Sequence, residues 1–265
     1  MRLVTYNMGQ GGSSNPALWA SRLQSLRPDL FFVQEARDPA QFWLEVLQSR
    51  RGARRGCCIW EAIPGRRWGS GLWLNKGSLT PLPVPEAYRG RVIAALVEGR
   101  RWPGSPETPV VALSIHAPAP KGSSYVKEVG HILDLASALA GGLPMILAGD
   151  FNVAVGLRRP EHRPQVTRGE SDLLKRLREE FDLVPCWQTA HPSKPLARTL
   201  RWMRRNDSLP YHCDGVFVPA AWASALRTCT VLEDEDWCAL SDHNPVVATL
   251  ATPQPSIDRH SQPGA

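Results

Sequence analysis

Short apolar runs punctuate the chain at residues 3–6, 30–34, 57–61, 71–75, 92–97, 110–115, 144–148, 216–218, 226–232 and 246–250. Runs of this length bounded by turn residues read as strands. Between the first two, Asn15-Pro16 supplies an N-cap and a first helical position, and Leu18, Trp19, Arg22, Leu23 and Leu26 follow at helical spacing. Further helices are expected over 39–48, over 124–140 with Gly141-Gly142 as the stop, and over 171–181. No long helix separates the four runs between 57 and 115, which predicts antiparallel pairing among them. The polar, Pro-rich stretch 252–265 is expected to be a disordered tail. With no internal repeat and no linker, a single domain over 1–251 is the expectation.

Composition narrows the class. A chain of 265 residues with 43% hydrophobic content can bury a real core as one large domain. Its 31 basic against 25 acidic residues give a net charge of +6, which favours a polyanionic partner such as nucleic acid. No run approaches the length of a membrane span, and Met1-Arg2 leads directly into a strand-like run rather than a signal segment. Six cysteines, at 57, 58, 186, 213, 229 and 238, form no Cys-x-x-Cys pair. That pattern points away from a zinc ribbon or disulfide framework and toward reduced thiols in a cytoplasmic protein.

Polar residues gather where apolar runs end. The segments are Thr5-Tyr6-Asn7, Val33-Gln34-Glu35, Ser114-Ile115-His116, Gly149-Asp150-Phe151-Asn152 and Ser241-Asp242-His243-Asn244-Pro245, with Cys213-Asp214-Gly215 just before a run. In layered folds, strand ends on one edge converge on a single cleft. Carboxylates and an amide suit Mg²⁺ or Mn²⁺, which take oxygen ligands. A His-Asp pair suits proton handling, because the carboxylate fixes the tautomer and supports a positive imidazole. Cation, proton handling and leaving-group assistance are what phosphate ester hydrolysis needs.

The order of these segments resembles the endonuclease/exonuclease/phosphatase superfamily over about residues 1–250, with Gly69-Ser70-Gly71-Leu72 matching its mid-chain glycine-flanked strand. Gly-Asp-Phe-Asn and Ser-Asp-His-x-Pro are specific as a pair and weak alone. The resemblance implies an α/β (α+β) four-layer sandwich, two packed mixed β-sheets flanked by helices. It implies Glu35 as the principal metal ligand, with Asn7 supporting the metal or the phosphate and Asp242 at or near the metal. Asp150 would orient water, Asn152 would hold a phosphate oxygen, and His243 with Asp214 would stand beside the phosphate. His116 would be a second histidine, as in pancreatic-type deoxyribonucleases and neutral sphingomyelinases. One or two metals, and the identity of the group that deprotonates water, stay open.

Two arginine-rich loops are expected at the rim as substrate-binding elements: Arg158 and Arg159 in one, Arg201, Trp202, Arg204 and Arg205 in the other. A third basic-aromatic cluster is Arg66-Arg67-Trp68. The acidic run Glu233-Asp234-Glu235-Asp236 opposes a polyanion unless it faces away. The expected activity is a divalent-metal-dependent phosphodiesterase, a nuclease acting on DNA or RNA. The alternative is a phosphoesterase acting on a small-molecule or lipid phosphate.

Overall fold

The computed structural model describes residues 1–11, 15–41, 46–47, 57–104, 108–157, 167–201 and 211–252. The strands are β1 (Arg2–Asn7), β2 (Leu30–Arg37), β3 (Cys57–Ala62), β4 (Trp68–Leu74), β5 (Ser78–Leu82), β6 (Val92–Glu98), β7 (Val110–His116), β8 (Met145–Asp150), β9 (Leu183–Pro185), β10 (Asp214–Pro219), β11 (Leu226–Val231) and β12 (Val246–Leu250). The helices are α1 (Pro16–Leu26), α2 (Tyr125–Ala140), α3 (Arg168–Glu179), α4 (Cys186–Ala190) and α5 (Glu235–Leu240). Two mixed six-stranded sheets result, ordered β11-β12-β1-β2-β4-β3 and β5-β6-β7-β8-β10-β9. The expected antiparallel pairs β3-β4 and β6-β7 form, but each in a different sheet.

The strands alternate between two buried faces. Leu3, Leu30, Phe32, Leu72, Ala112, Ile146 and Val216 fill the layer between the sheets. Val4, Tyr6, Phe31 and Val33 point the other way, under Trp19 and Leu23 of α1 and Trp237 of α5. Val111, Leu113 and Leu147 lie under Val129, Ile132 and Leu133 of α2. Burial on both faces is why these strands read as continuous apolar runs rather than alternating ones.

Local chemistry sets the helix ends. Asn15 caps α1 by accepting from the Leu18 amide, and Pro16 takes the first turn. Ser124 caps α2, and Gly141 closes it at a left-handed φ of 54°. Thr167 and Glu170 form a capping box on α3, which therefore starts earlier than the expected 171. Of the helix expected over 39–48, residues 39–41 form a 3-10 turn and 46–47 are helical; the remainder lies outside the described residues. So does the tail from 253 onward.

Near one end, the layer between the sheets turns polar. Thr5 Oγ1 donates to Gln34 Oε1 (3.2 Å), Gln34 Nε2 donates to Ser114 Oγ (2.9 Å), and Ser114 Oγ donates to the Val33 carbonyl (3.0 Å). All three side chains are fully buried. This chain of bonds ties the two sheets together directly beneath the strand ends that carry the candidate site.

Candidate active site

The topology brings the polar strand ends to one edge. β1 and β2 are parallel, so Asn7 and Gln34 finish side by side, with Glu35 next. β7 and β8 are parallel, and His116 pairs with Asp150. β10 runs antiparallel to β8, so its first residue, Asp214, also meets Asp150. β12 is antiparallel to β1, which places the preceding turn, 241–245, over the end of β1. Ser241 Oγ fastens that turn by donating to the Asn7 carbonyl (2.9 Å) and accepting from the His243 amide (3.1 Å).

Glu35 is aimed by the backbone. It sits at φ 46° where the β2-β4 register shifts between Val33 and Ala36. Such a bulge re-aims a side chain at the cost of local strain, here into the cleft. Opposite it, Gly69 lacks the Cβ that would collide with the Glu61 carbonyl of β3. Gly149, at φ 148°, is needed for the same reason, since a Cβ there would run into Ile115 of β7. Asn152 stands at φ 53°; its amide donates to Asp150 Oδ1 (2.9 Å) and its side chain to the Ala117 carbonyl (3.1 Å).

The side chains meet closely. Asn7 Nδ2 donates to Asp150 Oδ2 (3.0 Å) and reaches Glu35 Oε1 (3.4 Å). His243 Nδ1 lies 2.9 and 3.0 Å from the two Asp214 oxygens, and its Nε2 is 3.8 Å from Asp150 Oδ2. His116 Nε2 lies 3.5 Å from Glu35 Oε1, and its Nδ1 is buried without a hydrogen-bond partner.

These placements set the charges. Burial alone would push the His243 imidazole down, but Asp214 and Asp150 outweigh it and hold it up at about 10. His243 is therefore positive at neutral pH. Burial pushes His116 down to about 4, against the pull of Asp150 and with Arg91 and His243 adding to it. His116 is neutral, so its approach to Glu35 is not an ion pair. Burial and then Asp214 push the Asp150 carboxyl up, while His243, His116 and the Asn152 amide pull it back. Burial also raises Glu35, with Asp150 and Asp242 adding and His243 and Asn7 opposing.

Buried carboxylates held above their ordinary range mark a shortage of positive charge, and hard oxygen donors are the right partners for a divalent cation. Among the described residues, Asp150, Cys213, Asp214 and His243 bring donor atoms within 4.8 Å of one another. This group fits such a cation poorly, because His243 Nδ1 is taken by Asp214 and burial keeps the Cys213 thiol protonated. Glu35, raised by its burial and by Asp150 and Asp242 near it, is a carboxylate whose charge such a cation would balance.

The rim differs from expectation. Arg201 is not a surface cation: it is 2% exposed, and its guanidinium bonds the Asn244 side-chain oxygen and the Ser241 carbonyl. Its chain neighbours reach the same turn, with Asn244 N bonding the Thr199 carbonyl. Buried acceptors took this guanidinium inward, so it braces the His243 turn from behind. Arg158, Arg159, Trp202, Arg204 and Arg205 lie outside the described residues. The acidic run opens α5, with Asp234 as its N-cap and Arg22 of α1 bound to Asp234 and Asp236.

Three cleft residues were not expected there. Trp68 rests against His116, ring centroids 5.9 Å apart. Arg91 precedes β6, its carbonyl accepting from the His116 amide (2.8 Å), and its charge acts on Glu35 and His116. Tyr125 opens α2. The available sign was Gly90-Arg91 at the start of a strand antiparallel to β7, which must begin where β7 ends.

Two mixed sheets meeting at buried carboxylates, an amide and an aspartate-held histidine define a hydrolytic phosphoesterase. The chain belongs to the Endonuclease/Exonuclease/phosphatase family, whose model matches residues 4–243. Enzymes of this family use divalent metals. Among solved structures, the AP endonuclease LMAP from Leishmania major superposes with a TM-score of 0.66 at 16% identity, covering 95% of this chain and 88% of that one. An AP endonuclease from Archaeoglobus fulgidus gives 0.65 at 17%, covering 94% and 99%. The 3′ phosphatase NExo from Neisseria, bound to product DNA hairpin, gives 0.63 at 20%, covering 95% and 99%. At these identities the likeness is one of fold. No curated protein sequence matches the chain. No helix among the described residues is long and apolar enough to cross a membrane.

Proposed function

We propose that this chain is a divalent-metal-dependent nuclease that hydrolyses phosphodiester bonds in DNA or RNA. The observation that carries the reading is the Asp214–His243 pair beside Asp150, one sheet edge away from Asn7 and Glu35. Solved neighbours described as AP endonucleases, and one bound to a DNA hairpin, support nucleic acid as the polymer.

Glu35, with Asn7 and Asp242, would hold Mg²⁺ or Mn²⁺. When bound, the cation supplies charge neutralisation at the phosphoryl oxygens. The chain's own groups do the rest. Asp150, a carboxylate made more basic by its burial and steadied by Asn7 and the Asn152 amide, orients the attacking water and accepts its proton. His243, kept positive by Asp214, donates to a non-bridging oxygen as charge develops on it. His116, a neutral imidazole, offers a hydrogen bond to the departing oxygen, which takes its proton from solvent. Asn152 holds a phosphate oxygen. The new P–O bond comes from water, the bond to the leaving oxygen breaks, and the products carry a 5′-phosphate and a 3′-hydroxyl.

The test is a substrate panel with Mg²⁺ or Mn²⁺ and with EDTA. Single- and double-stranded DNA and RNA, a generic bis-phosphodiester, a choline phospholipid and an inositol phosphate are compared. Metal-dependent cleavage of a nucleic acid is expected, lost by about a hundredfold or more in His243→Ala. Turnover confined to the lipid or the inositol phosphate would reverse the reading.

A further inference from the structure

The cleft mouth carries two aromatic rings that hydrolysis of a phosphate ester does not use. Trp68 opens β4 across from Arg37 at the end of β2, and its half-buried indole is tilted 45° against His116. The backbone beyond it is pinned, because Gly69 sits hard against β3.

Tyr125 stands on the other sheet's side. It continues the stripe of α2 that buries Val129, Ile132 and Ala136 against the second sheet, but one turn earlier, where the strands have ended. Its ring therefore overhangs the strand ends instead of packing on them, and it is 38% exposed. The turn is tethered to the site at both ends. Tyr88, in the turn leading to Arg91, donates to Glu128 Oε2 (3.0 Å). The loop before α2 begins at Ala117, whose amide donates to the Asp150 carbonyl (2.9 Å). The phenol accordingly feels the charges of Asp150, Arg91 and Glu35.

Close enough to Tyr125 and Glu35 to interact with both electrostatically, the half-buried Arg91 guanidinium makes no hydrogen bond or ion pair with another described residue. Two aromatic rings and a cation at one cleft mouth suit the bases and the phosphate of a single strand.

We propose that Trp68 and Tyr125 stack on nucleobases flanking the reacting phosphate, so that the chain selects strands whose bases are unpaired. A base inside a duplex offers its faces to its neighbours and not to a side chain; a single strand offers them freely. The inference rests on the nuclease reading and deepens it by naming the form of substrate.

The experiment is fluorescence anisotropy on the full chain in chelator. The probes are an oligothymidylate, the matching oligouridylate, a duplex of the same length, and a strand of abasic units that keeps the phosphates and loses every base. Wild type is expected to bind the base-bearing single strands about tenfold or more tighter than the abasic strand, as one base–aromatic stack provides. Tyr125→Leu and Trp68→Leu should each shrink that ratio several-fold, and Tyr125→Phe should restore it. Tyr125 is exposed, so its substitution reads binding and not folding.

Equal wild-type binding to base-bearing and abasic strands overturns the inference, as does a ratio unmoved in both leucine variants, while leaving nuclease activity untouched. Binding to none of the strands, with turnover of another phosphate ester, overturns the nuclease reading as well. A difference between the DNA and RNA arms assigns the sugar.

Discussion

Replacing Arg201 by alanine separates a brace from a substrate contact. The guanidinium bonds the Asn244 side-chain oxygen and the Ser241 carbonyl, and the Arg201 amide donates to the Asp242 carbonyl at 2.8 Å. Truncation leaves two buried acceptors without a donor. Each such charge-assisted bond contributes roughly 1.5–3 kcal/mol. Relief of the buried charge works the other way, because no carboxylate among the described residues lies at ion-pair distance from it. The net loss is then about 3 kcal/mol, or a fall in Tm of roughly 6–12 °C for a chain of this size. Urea unfolding should show a lower midpoint at unchanged slope. The salt dependence of oligonucleotide binding by the folded fraction should not move. Arg201→Lys should recover little, since a single ammonium cannot span both acceptors as the planar fork does. Wild-type stability in Arg201→Ala, together with a salt slope shallower by about one unit, would return this residue to the rim and refute the reasoning.

Mn²⁺ should raise the Tm of the wild type, as any ligand of the native state does, and raise that of Glu35→Gln far less. An equal shift in both would remove Glu35 from the metal centre. His116→Ala should lower kcat by about a hundredfold and raise KM less, because the contact strengthens as charge develops on the departing oxygen. Matched duplexes with and without one abasic site should be cut at similar rates. A hundredfold preference for the abasic duplex, with His116→Ala near the wild-type rate, would contradict both statements.

Strand direction explains most of what the sequence disclosed and what it hid. β1, β2, β7 and β8 end at the site, so Asn7, Glu35, His116 and Asp150 appear as polar residues closing apolar runs. β4, β6 and β10 begin there instead. Their site residues precede the run, where a polar residue reads as part of a loop. Asp214 was found through the family's motif order; Trp68 stood in a basic-aromatic cluster that nothing tied to the cleft, and Arg91 had no motif to mark it. Tyr125 was hidden for a related reason: its helical spacing assigns it to a buried stripe, and only the position of the sheet edge leaves it overhanging. The strands that escaped notice, β5 and β9, lie at the two edges of one sheet and contain Pro81 and Pro185. Proline is tolerated at an edge, where an amide has no partner to lose.

Charge misled where burial could not be seen. Arg201 belongs to an arginine-rich stretch, and composition assigns such a stretch to solvent. Its environment is set by residues forty positions away, whose carbonyl and amide oxygens face inward and need a donor. The acidic run inverts the same lesson, since one of its carboxylates caps α5 and two meet Arg22. Part of its charge is thus answered within the fold, and a polyanion meets somewhat less repulsion than the four letters suggest. Register is the last hidden quantity. The bulge that aims Glu35 exists only as a mismatch between β2 and β4, so neither strand read alone contains it. The residue type could be read from the chain, while the strain that turns it into the cleft is a property of the pair.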